Sequence, residues 1–242
     1  MTTQLLAPGH LLRDTFTSVK TIYRSLLSLY IPISILPLLF IGIPKSSRPI
    51  VDIIYSLSIS LLFSGAAIFY AYQNLNHREV TPSQSLKIVI SKLIQLILLR
   101  ALLIVILAVA FFLLVIPGIY LSIRFFFADY GLLIENYSTT NAIKRSWQLT
   151  ENHEWSLFFA FFVQFLATVI PVLLIAMIIS PFFQVSSFHL FLGRLPSFES
   201  ASTIFQGASA IFAWFIGPIS LVYSTIIFMI LQALDRQNLN ER

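Results

Sequence analysis

The sequence predicts an all-α, polytopic membrane protein: six transmembrane helices as three hairpins, each preceded by an amphipathic interfacial helix. Three observations lead there. Hydrophobic residues fill 57% of 242 positions and charged residues only 10%, against about 25% charged in an ordinary globular domain. So few charges cannot cover a soluble fold of this size. The apolar residues fall in runs of the ~20 that a helix needs to cross the hydrocarbon core. Finally, the basic residues between the runs are unevenly distributed, as orientation in a membrane requires.

The elements follow in chain order. HLLRDTFTSVKTIYR (10–24) sets Leu12, Phe16, Val19 and Tyr23 on one helical face, away from Arg13, Lys20 and Arg24. It precedes apolar runs at 25–43 and 51–72, the first hairpin. TPSQSLKIVISKL then aligns Leu86, Ile90 and Leu93 on one face. The region 93–137 is too long for one helix, and Ile116-Pro117-Gly118 interrupts it. A Pro-Gly pair ends a helix and permits a tight reversal, which predicts spans at 93–116 and 119–137. TTNAIKRSWQLTENHEW groups Ile143 with Trp147, with Lys144, Arg145, Gln148 and Glu151 mostly on other faces. It leads into runs at 155–179 and roughly 207–232. The chain thus reads as a single integral membrane domain, 1–242, of three units at 10–72, 81–137 and 139–232. Their interfacial helices would lie apolar side down, basic residues toward anionic headgroups. Lys144, Arg145, Trp147 and Trp155 are the expected lipid-facing and interfacial positions, since tryptophan concentrates at that depth.

Charge counting orients the chain. With six spans, the side holding both termini carries ten basic residues: Arg13, Lys20, Arg24, Arg78, Lys87, Lys92, Lys144, Arg145, Arg236 and Arg242. The other side carries three: Lys45, Arg48 and Arg194. A five-span alternative, with Arg124 in a loop, gives seven against seven. The bias favours six spans, both termini cytoplasmic, in the plasma (inner) membrane. The first apolar run lacks an A-x-A-like cleavage site and reads as a span, not a removed signal.

RFFFADYGLLIENYS (124–138) then places charges inside the membrane, where each is costly unless paired or able to reach water. Arg100, Arg124, Asp129 and Glu135 form the candidate intramembrane polar site. A hairpin pivoting between Pro117 and Gly118 leaves Arg100 and Glu135 equidistant from the turn, near the cytoplasmic boundary, either paired or snorkelling apart. Arg124 lies close enough to the turn to extend toward the opposite surface. Asp129 follows Arg124 by five positions, about 140° around a helix, so the two do not pair directly. Asp129 therefore needs a tyrosine, serine or glutamine from another helix, or a proton.

The run IPGIYLSIRFFFADYGLLIENYSTTNAIKRSWQLTENHEW resembles the central signature of the bacterial membrane-domain families related to the glycerophosphoryl diester phosphodiesterase membrane domain. The matching positions are Ile116, Pro117, Gly118, Arg124, Asn141, Ala142, Ser146, Trp147, Leu149, Thr150 and Trp155. The likeness is close over about forty residues and departs from the family pattern at Ala128-Asp129 and Glu135-Asn136. It implies an α-helical integral membrane protein, the membrane part without a catalytic domain.

Motifs for chemistry are not found. His10, His77, His153 and His189 are scattered, none in H-E-x-x-H, and cysteine is absent, so neither a metal nor another cofactor is expected. There is no G-x-S-x-G elbow and no P-loop. The formal charge of +5, spread over loops, fits membrane orientation rather than nucleic-acid binding. The expectation is a non-catalytic scaffold, accessory or lipid-interacting module whose partner is the bilayer, through anionic headgroups. The alternative is a small-solute transporter or channel using Asp129 and Arg124.

Overall fold

A computed structural model describes residues 8–39, 47–185 and 198–240, and every regular element among them is helical. In order these are α1 (Pro8–Leu39), α2 (Arg48–Tyr55), a π-helical turn (Ser56–Ser60), α3 (Leu61–Leu75), α4 (Pro82–Ser91), α5 (Leu93–Leu113), α6 (Val115–Phe125), α7 (Ala128–Leu133), α8 (Thr139–Thr150), α9 (Glu154–Val185) and α10 (Phe198–Asn240). Four stretches of the described residues are long and apolar enough to cross a membrane: Leu93–Leu113, Val115–Leu133, Glu154–Pro171 and Ile216–Gln237. On that composition the protein is a multi-pass membrane protein. Residues 40–43, the end of the first expected span, lie outside the described residues, as does the connection before Phe198.

Residues 10–24 are not a separate interfacial element. They continue without a break into the following apolar run as α1, and the buried stripe is Leu11, Thr15, Val19, Ile22, Leu26 and Leu29. Of the expected face only Val19 is buried, and Phe16 points out. The stripe rotates because Thr15 is polar only on paper: its hydroxyl donates to the Leu11 carbonyl at 2.6 Å, which lets it sit in a packed seam.

The α1 seam packs against α10 and α3. On α3 the run Gly65, Ala66, Ala67 and the later Ala71 are all buried. Small residues bring helix backbones close, the usual source of packing energy where lipid removes the hydrophobic drive. At the centre, Phe127, Tyr130, Phe161 and Phe228 interlock, with centroids 4.9 Å apart for Tyr130–Phe228 and 5.6 Å for Phe127–Tyr130. The α4 helix starts on a capping box: the Thr81 side chain accepts from the Gln84 N–H and the Gln84 side chain accepts from the Thr81 N–H, satisfying two orphan donors. It buries Ser85 and Val89 rather than the Leu86–Ile90 face, and Ile90 is exposed.

The reversal between α5 and α6 falls at Leu114, the one extended residue there (φ −160°, ψ 144°). Pro117 is the third residue of α6, inside its first turn, where a missing N–H costs nothing. Gly118 serves the close approach: a Cβ there would collide with the Phe111 ring of α5. Residues 119–137, expected as one helix, break at Phe126–Phe127 and again after Leu133.

Candidate functional site

The turn at Leu114 resets which charges meet. Arg100 stands fourteen residues before it and Asp129 fifteen after it, so the two lie at one depth and form an ion pair. The expectation that Arg100 and Glu135 share one depth, paired or snorkelling apart, assumed a turn more than three residues later, which displaces the facing position by about two helical turns. Asp129, expected to find a neutral partner or a proton, has Arg100 on α5. Its Oδ2 takes that bond, while Oδ1 has no hydrogen-bond partner.

Arg124 does not snorkel. It is 5% exposed and its guanidinium is enclosed. Nε donates to the Tyr120 hydroxyl at 2.9 Å, and Nη1 donates to the Trp147 carbonyl at 3.2 Å and to Thr150 Oγ1 at 3.4 Å. Nη2 pairs with Glu154 Oε1 at 2.5 Å. The Trp147 ring covers it, 4.6 Å from the guanidinium carbon, a distance at which cation–π attraction acts. Arg124 and Asp129 have separate partners, in keeping with their angular separation.

Glu135 belongs to a third group. Arg145 Nε donates to Glu135 Oε2 at 2.7 Å, and Nη1 donates to Asp235 Oδ2 at 2.7 Å. Gln232 donates to Glu135 Oε1 at 2.8 Å and accepts from the Tyr72 hydroxyl at 2.9 Å. Four segments are tied here: the loop after α7, α8, α10 and α3. Burial opposes the Arg145 charge, but hydrogen bonds to Glu135 and Asp235 and their attraction outweigh it and hold its pKa above the usual value. Arg145 is thus not a lipid-facing charge, because two carboxylates turn it inward. Lys144 and Trp155 are exposed. Trp147 is divided, its ring half outward and half over Arg124 and Phe125.

The break between α6 and α7 is closed from outside. Ser146 of α8 donates to the Arg124 carbonyl at 2.7 Å and accepts from the Phe127 N–H at 3.1 Å, filling two backbone positions that the kink leaves empty. Lys92 caps the other end of α7, donating to the Leu132 and Leu133 carbonyls at 3.2 Å each. Burial lowers its pKa from the ordinary lysine value. Glu154, Asp235 and Gln232 were not singled out as site residues from the sequence, Ser146 entered only as a matching position of the resemblance and Lys92 only in the charge count. The one available signal was position: Glu154 and Asp235 each sit where a long apolar run starts or ends.

Beside the polar base, α6 and α9 diverge. Two apolar clefts, about 590 and about 630 Å³, open between them. The first is lined by Phe111, Phe126, Phe162 and Phe165 with Ser122 and Gln164, the second by Ile116, Tyr120, Trp155 and Phe158 with Glu154 at one end. Among the described residues, no group of three or more His, Asp or Glu side chains is placed to hold a metal ion.

Fold and site together define a multi-pass membrane protein, helical throughout its described elements, in which the buried Arg124 and the partly exposed Arg100 and Arg145 are each ion-paired. No protein-family model, curated protein or solved structure matches the chain.

Proposed function

We propose that this is a non-catalytic membrane scaffold or accessory module that engages lipid. In this reading it has six apolar helices in three hairpins and both termini on the cytoplasmic side of the plasma (inner) membrane. The likeness of residues 116–155 to the phosphodiesterase-associated membrane-domain families is part of the proposal. One observation carries it: the arginines of α5, α6 and α8 are bound by carboxylates from α7, the loop after it, α9 and α10. Arg100, Arg124 and Arg145 hold Asp129, Glu154, Glu135 and Asp235, so the polar base acts as a clamp between helices. Beside this base the molecule presents apolar clefts and, on α8, the exposed Lys144, which fits acyl chains and anionic headgroups.

The test is lipid retention. Protein extracted in mild detergent should co-purify with anionic phospholipid enriched over the membrane extract. Lys144→Gln should reduce the enrichment. Retention matching the bulk composition would defeat the reading.

The solute-transport reading has one observation on its side, the unpartnered buried Asp129 Oδ1. Under it, proteoliposomes should show a flux that Asp129→Asn abolishes. Topology is tested separately in this cysteine-free chain: Ser47→Cys should react with an impermeant maleimide from outside, and Asn141→Cys only from inside.

A further inference from the structure

We propose that the α5–α6 hairpin is re-entrant. It enters the bilayer on the side of the Arg124–Glu154 base and ends near the midplane, so that its uncovered tip takes the acyl chains of one leaflet. This keeps the first and third hairpins of the proposed reading, replaces its second pair of spans by a hairpin that turns back although both arms are long enough to cross, and rests on that reading for which side is cytoplasmic.

Three sets of contacts measure the depth. The first is the base. Arg124 pairs with Glu154, the first residue of α9, so the bottom of α6 and the start of α9 are level. From Arg124 the turn at Leu114 is only ten residues away, about 15 Å of helix, half the ~30 Å hydrocarbon thickness.

The second is the neighbours at the tip. Phe111 and Ile119, flanking the turn, share a cleft with Phe165 and Thr168 of α9 and Ser220 of α10. Gln164 binds Ser220, and Gly217 lies against the Tyr30 ring of α1. These residues mark one level. Beyond it α9 continues to Val185, α10 back to Phe198 and α1 to Leu39. That leaves about 25, 33 and 14 Å of helix past the tip of the hairpin. The long helices go on where the hairpin stops.

The third is the chemistry of the turn. Residues 101–119 contain no charged, hydroxyl or amide side chain. Phe112 is 91% exposed, Ile116 81%, and Leu113, Leu114 and Val115 between 62% and 69%. A turn emerging into water would need polar residues, and this one offers hydrocarbon on every side. Pro117 also removes one backbone donor that lipid could not satisfy. If the tip instead reached the far surface, Arg124 would lie at mid-bilayer. Exposed Gln148, Glu151 and Asn152, beside Glu154, would lie there too, open to hydrocarbon. Charged and amide side chains are excluded from lipid-facing positions at that depth. Since a re-entrant hairpin returns to its own side, the ten-to-three charge bias is preserved.

The experiment places single cysteines at Phe112 and Ile116, neither of which packs in the core. Each is labelled with bimane and reconstituted with phosphatidylcholine carrying a doxyl quencher at carbon 5 or carbon 14. The expected result is at least twofold stronger quenching by carbon 14 at both sites. Unlabelled protein in intact vesicles should also fail to react with an impermeant maleimide from either face. Stronger quenching by carbon 5, or maleimide reaction from either face, overturns the proposal. Ser47→Cys is the separate control. Its failure to label from outside sinks the three-hairpin reading while leaving the depth measurement standing.

Discussion

At the turn of the α5–α6 hairpin, Phe112 through Ile116 are all apolar and all uncovered, whereas at its base Arg124 and Asp129 are charged and each 5% exposed. A protein in water distributes residues the other way. With the tip in hydrocarbon, as proposed, its surroundings are themselves oily and apolar side chains lose nothing by facing out. The base must provide for its charges internally, since hydrocarbon cannot. Along this hairpin burial follows polarity, and its fixed contacts lie among charges and backbone groups.

The contrast can be broken most severely at Arg124. Replacing it by Leu strands Glu154 and removes donors to Tyr120, Trp147 and Thr150. Losing one partner of a buried pair costs about 3–5 kcal/mol. Thermal unfolding in detergent should show the largest fall of the series, and a change below about 1 kcal/mol, the value of an exposed pair, would show that the guanidinium is solvated after all.

Glu135→Leu should cost less, about 2 kcal/mol, because Arg145 keeps Asp235. A double-mutant cycle with Arg145→Met isolates the coupling, and additivity of the two changes would dissolve the proposed clamp. Ser146→Ala removes one hydroxyl and two hydrogen bonds and should cost about 1–2 kcal/mol. Ser146→Thr keeps the hydroxyl and separates the bond from the packing. At the tip, Phe112→Leu should leave the detergent melting curve on that of the parent. A clear loss there would mean that the turn packs against protein.

The sequence conveyed α5 and α6, the reversal between them and the presence of buried charge, because each is written in local hydropathy or in Pro117 and Gly118. It did not convey the pairing. Pro117 was taken as the end of one helix, yet proline is equally at home in the first turn of the next. That shift of a few residues moves the position level with Arg100 from Glu135 to Asp129, which it pairs with. The partners of Arg124 and Arg145 were hidden for a different reason. Glu154 and Asp235 are 30 and 90 positions away, and no local period reports a contact over that distance. The face of α1 was misread because a threonine bonded to its own helix counts as polar in a pattern and as packed in a fold.

The Ser146 hydroxyl that closes the kink between α6 and α7 also imposes an order on biosynthesis. Phe127 is made nineteen residues before Ser146, about 1–4 s at ordinary elongation rates. During that interval the Phe127 N–H and the Arg124 carbonyl have no partner from α8, and Arg124 itself has neither Trp147 nor Glu154. The hairpin leaves the ribosome without these contacts, and they close only when α8 and the start of α9 have been made. The completion of one membrane element is therefore timed by the synthesis of the next.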